Sequence, residues 1–69
     1  MIADCTHVFY IDSYNGWAVA LMGQNKLQIG EAEYTYRKAN AVNLAKRHGV
    51  DAHIFGRNGL YQRTIKAST

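Results

Sequence analysis

The sequence predicts an α+β domain: an antiparallel sheet of four to five strands with one helix on one face, in the order ββ(β)αββ. Three observations predict it. Two Asn-Gly dipeptides, Asn15-Gly16 and Asn58-Gly59, each stand between β-rich runs, and Asn-Gly is the strongest short hairpin signal. Between the two hairpins lies one alanine-rich stretch of helical period. There is no proline, linker or repeat, so glycine supplies the punctuation.

The first strand is predicted over Cys5 to Asp12 (CTHVFYID), where β-branched and aromatic residues concentrate. Trp17 to Met22 returns after Asn15-Gly16. Gly23-Gln24-Asn25-Lys26 reads as a second turn, and Leu27 to about Gly30 as a short third strand. The helix is predicted over Tyr34 to His48. At 100° per residue Tyr34, Ala41, Val42, Leu44 and Ala45 form one stripe. Lys38 falls inside that stripe, which requires a buried stem and a charge that reaches water. Glu31 and Glu33 near the start, and Lys46, Arg47 and His48 at the end, suit the helix dipole. Gly49 stops the helix. Asp51 to Arg57 and Leu60 to Lys66 are the last two strands, joined by a type I′ turn at Asn58-Gly59.

Period-2 alternation sorts the strand residues into two faces. Trp17, Val19, Leu21, Val8, Ile54 and Ile65 share the side assigned to the helix. The opposite side carries Phe9, Ile11, Met22 and Phe55, more apolar surface than a lone domain usually leaves in water. Three readings of that surplus stay open: a second copy covers the face, a β-bulge turns part of a hairpin over, or the face is a recognition platform.

At 69 residues the chain is a single small α+β domain, residues 1–69, with a core worth about 3–5 kcal/mol. Cys5 is the only cysteine, so no disulfide forms within the chain. That unpaired thiol, the acidic Asp4 near the N-terminus and the lack of any apolar run of roughly 18 residues predict a cytoplasmic protein with no membrane partner. The net charge of +3 is uneven. Residues 34–69 hold Arg37, Lys38, Lys46, Arg47, Arg57, Arg63 and Lys66 against Asp51 alone. A basic surface of Arg37, Lys46, Arg47, Arg57, Arg63 and Lys66 suits a phosphate backbone or an acidic protein.

Motifs for chemistry are sparse. Cys5-Thr6-His7 offers two metal ligands, too few for a site, and His48 and His53 have no ligand spacing to them. Cys5 with His7 lacks an orienting acid and an oxyanion donor. Gly56-Arg57-Asn58-Gly59 opens no helix and so is no phosphate loop. Trp17, at the start of a half-buried strand, is read as core. Phe55, Arg57 and His53, with Arg63 and Lys66 nearby, have the composition of a single-strand nucleic-acid platform without its signature motif. No catalytic residue, cofactor, metal or small-molecule substrate is predicted.

Gly16-Trp17-Ala18-Val19, Ala41-x-x-Leu44-Ala45-Lys46-x-x-Gly49 and Ile54-x-Gly56-Arg57-Asn58-Gly59 together resemble a family of small bacterial and phage proteins, a domain of unknown function. The resemblance runs from about His7 to Ile65 and implies a compact ββ(β)αββ unit. It implies no activity and no binding residues. This sequence departs from the family pattern at the helix entrance, where Thr35 is followed by Arg37 and Lys38 rather than by acidic residues. The function expected is a small non-catalytic interaction module that self-associates, as a homodimer or with a protein partner, through its open face or basic half. The alternatives are a nucleic-acid-binding protein and a phage- or plasmid-encoded inhibitor of a host complex.

Overall fold

The computed structural model describes residues 3–67. Five strands and one helix follow in the order β1 (Ala3–Ile11), β2 (Gly16–Gly23), β3 (Glu33–Thr35), α1 (Lys38–Lys46), β4 (Asp51–Phe55) and β5 (Tyr61–Ile65). They build one sheet of spatial order β3-β2-β1-β4-β5. The α+β class and the element order agree with the sequence. The sheet is mostly antiparallel, with one parallel pair: β1 lies beside β4, with Cys5 opposite Asp51 and His7 opposite His53. That pair joins the two hairpins side by side. It follows from the helix, which carries the chain from β3 at one edge back over the sheet to β4.

Both Asn-Gly turns differ from expectation. In the first hairpin Asp12–Asn15 is a four-residue loop, and Ile11 pairs directly with Gly16. Asn15 takes the left-handed conformation (φ 57°), which asparagine tolerates. Its N–H donates to the carbonyls of Ile11 (2.9 Å) and Asp12 (3.1 Å). Gly16 serves a different purpose. A Cβ there would stand 2.8 Å from the Tyr14 ring and from the Thr35 carbonyl, so the glycine lets loop and edge strand close over the start of β2. In the second hairpin only Gly59 is left-handed (φ 83°). Its N–H donates to the Gly56 carbonyl at 2.9 Å, and the Gly56 N–H to the Leu60 carbonyl at 2.8 Å. This is a type I turn closed by a left-handed glycine, a three-residue loop rather than a type I′ turn. A bulge between Ile54 and Phe55 absorbs the extra residue.

The predicted faces survive in the first hairpin and in the body of the second, but the bulge turns Tyr61 to the side of Phe55, and Arg57 lies over Tyr10 instead of beside Phe55. Val8 sits opposite Val19 and Tyr10 opposite Trp17, a slide of even parity from a two-residue turn, which leaves every side chain on its side. Val8, Trp17, Val19, Ala52 and Ile54 pack against Ala41, Val42 and Ala45 of α1, with Ile65 and Leu44 at the margin. Small alanines on both sides bring helix and sheet close.

The helix is shorter than its period suggested. Tyr34 and Thr35 belong to β3, opposite Ala18 and Trp17. Arg37 is the N-cap, extended (φ −111°, ψ 134°) and without a side-chain capping bond, and the first turn holds no acid. Glu31 and Glu33 therefore do not serve the helix dipole. Glu33 lies in β3, and its Oε1 is 3.2 Å from His48 Nε2. Lys38 reaches out as expected. Its Nζ stands 5.2 Å from the centre of the Trp17 ring and donates to Gln62 Oε1 at 2.6 Å. Gly49 (φ 73°) releases the chain after the last turn. The third strand predicted at Leu27 to Gly30 is reduced to one bridge, Gln28 to Met22. Gly30 (φ 70°) then breaks the edge before Glu33–Thr35 resumes it.

Candidate functional site

The helix covers one side of the sheet, and the other side has no cover among the described residues. Phe9, Ile11, Met22 and Phe55 all lie there, each half-buried by its neighbours. Ala18 and Ala20 keep the middle of the face low. Tyr34 on β3 (53% exposed) and Tyr61 on β5 (57% exposed) stand at its two edges, two aromatics that the sequence reading did not assign to this face. Tyr34 escaped because it was read as helix, and Tyr61 because the bulge puts it opposite Phe55 instead of Gly56.

The basic residues are elsewhere. The Arg57 guanidinium lies over the Tyr10 ring at 4.6 Å and donates to its hydroxyl at 3.1 Å. Tyr10 faces the helix side, against Trp17 at 5.3 Å between ring centres. Arg63, opposite Ile54, lines a shallow groove with Lys38, Val42 and Asn43 on that same side. Arg37, Lys46 and Arg47 flank the helix and are exposed. Two lysines reach the margin of the open face: Lys66, whose Nζ donates to Asp51 Oδ2 at 3.3 Å, and Lys26, beside His7 and Met22. The predicted interleaving of base with aromatics around Phe55 is therefore not realised: Arg57 and Arg63 project to the helix side.

At the β1 end of the open face the parallel pairing gathers three side chains the sequence kept apart. One ligand atom each of Cys5, His7 and His53 lies within 4.8 Å of the other two. Cys5 is buried and both histidines are half-buried. They line a pocket of about 260 Å³ with Asp4, Met22 and Lys26. The His7 and His53 rings meet edge-on at 5.5 Å, and Phe55 walls His7 at 5.4 Å. His53 Nδ1 lies 2.8 Å from Thr64 Oγ1, which is 2.6 Å from the Tyr61 hydroxyl. Burial raises the Cys5 thiol above its ordinary value, and the Asp4 and Asp51 carboxylates add to the rise. Burial, with His53 and Lys26, lowers His7 and so favours its neutral form. A thiol shifted upward is the opposite of an activated nucleophile.

The helix is too short and too polar to cross a membrane, and no other helix occurs among the described residues. Comparison with protein-family models, with curated proteins and with solved structures finds no match.

Proposed function

We propose that the chain is a non-catalytic interaction module whose open sheet face docks on the same face of a second copy. One observation carries this reading. The uncovered side holds Phe9, Ile11, Met22 and Phe55, edged by Tyr34 and Tyr61, while the arginines lie on the helix side. A face without a block of like charge can meet its own image without repulsion, as a two-fold interface requires. The molecule's extents of 30 × 22 × 19 Å confine such an interface to the small end of the range for stable dimers.

Only Lys26 and Lys66 reach this face, and Lys66 is paired with Asp51, which is little positive charge for a single-strand nucleic-acid platform that sets cations beside its aromatics. Sedimentation at micromolar concentration tests the proposal. A dimer is expected for the parent chain. Phe55→Glu should weaken association more than folding, because it sets a carboxylate in the face to be docked while leaving the helix-side core intact. A strict monomer removes the reading. Salt-sensitive binding of single-stranded RNA or DNA by that monomer would shift the case to the nucleic-acid alternative.

A further inference from the structure

We infer that Cys5, His7 and His53 form a three-ligand site for zinc, with the fourth coordination position opening into the pocket beside Met22 and Asp4. The donor set is one thiolate and two imidazoles, which selects a borderline-soft ion and leaves calcium and magnesium without their oxygen ligands. The spacing fits. Three atoms no more than 4.8 Å apart share a centre within roughly 2.8 Å of each, against about 2.0–2.3 Å for zinc bonds to nitrogen and sulfur. Each ligand atom must move inward by roughly 0.5–0.8 Å to reach those bond lengths, a shift that side-chain rotation supplies without moving the strands.

The surroundings are those of a ligating histidine. His53 Nδ1 lies 2.8 Å from Thr64 Oγ1, and in the tautomer that donates this hydrogen bond from Nδ1–H, Nε2 is free for the metal. Thr64 is itself tied to the Tyr61 hydroxyl at 2.6 Å, so the ring is held by a two-step relay of the kind that orients metal-bound imidazoles. Three ligands stand on two adjacent parallel strands, in laterally paired or alternate positions of one face, which rigid backbone holds without a loop. The carboxylates of Asp4 and Asp51 bring negative charge close to Cys5, favouring a cation there. All three ligands come from one chain, so the site does not depend on self-association.

Metal titration of the purified, metal-free chain tests the inference. Zinc is expected to bind one ion per chain and to protect Cys5 from alkylation. Cobalt in its place should give the intense visible bands of a four-coordinate ion and a thiolate-to-cobalt charge-transfer band in the near ultraviolet. Cys5→Ser should abolish the charge-transfer band. His53→Gln and His7→Gln should each weaken binding, and Thr64→Val should weaken it by about 10–100-fold through the lost hydrogen bond. His48→Gln, on the far edge of the sheet, should change nothing. Circular dichroism of each variant separates ligand loss from unfolding. Zinc binding no tighter than in Cys5→Ser, a charge-transfer band that survives that change, or a chain that takes cuprous copper but not zinc each overturns the assignment.

Discussion

Ile54 and Asp51 represent two ways in which single side chains hold this fold. Ile54 is fully buried between β1, β5 and the helix. Ile54→Ala removes three carbons from the centre of a small core and should cost about 2–5 kcal/mol, read from urea denaturation. In a domain of this size such a loss leaves little folded protein. A midpoint that barely moves would show that the core collapses around the gap. Asp51 acts through charge. Its Oδ1 accepts from the Ala67 N–H at 2.9 Å and its Oδ2 from Lys66 at 3.3 Å. These two donors hold its carboxyl below the ordinary value of 3.8. A folded-state value depressed below the unfolded one adds stability above the unfolded value, and that stability vanishes as pH falls through the folded one. Asp51→Asn is therefore expected to lower the melting temperature at neutral pH and to converge with the parent chain in strong acid. Equal differences at both extremes would mean that Asp51 contributes shape and not charge. Gly16 shows where a residue is legible for the wrong reason. Asn15-Gly16 marks a hairpin correctly, but the glycine is demanded by the Tyr14 ring and the Thr35 carbonyl lying over it, and contacts of that kind leave no trace in turn statistics.

At the scale of elements, α1 begins without the usual help. Arg37 occupies the N-cap with extended dihedrals but offers no acceptor to the first free N–H groups, whereas serine in that conformation would. Arg37→Ser should stabilise the chain by about 0.5–2 kcal/mol, seen as a higher thermal midpoint. A lower midpoint would assign Arg37 a contact that outweighs the cap. The uncapped start also explains why the helix was overestimated from sequence. Tyr34 fits the helical stripe and equally fits a strand, and its pairing with Ala18 decided the matter. The hairpins and most of both faces are readable because alternation survives any even slide of register, and the exception, Tyr61, follows from the odd slide at the Ile54/Phe55 bulge. What sequence could not give was β1 beside β4. Cys5 and His7 are near neighbours in the chain, while His53 arrives only through a parallel pairing that the β3–α1–β4 crossover enforces. No local pattern encodes that pairing, so the three-ligand cluster was invisible until the strands were placed.

For the molecule as a whole, one helix against a five-stranded sheet leaves an imbalance that the sequence already contained and the fold preserves. The core is one-sided. Val8, Val19, Ala52 and Ile54 are sealed by the helix, and Phe9, Ile11, Met22 and Phe55 are only half covered. If a second copy completes that cover, folding and association are linked, because a partner that binds only the folded chain stabilises it by an amount that rises with the logarithm of its concentration. The thermal midpoint of the parent chain should then rise with protein concentration. Phe9→Glu separates the two contributions. Phe9 lies opposite Ala18 on the open face, and unlike Phe55 it makes no close aromatic contact with His7 among the described residues. The carboxylate it introduces would oppose docking while leaving the helix-side packing and the three metal ligands in place. The variant is expected to sediment as a monomer, to melt at one temperature regardless of concentration and to keep its cobalt charge-transfer band. A parent midpoint already independent of concentration, in a chain that sediments as a monomer, would mean that this thin domain is stable with one face wet. If the variant loses the band together with the dimer, the metal ligands would depend on the partner for their positions, and a site built within one chain could not stand.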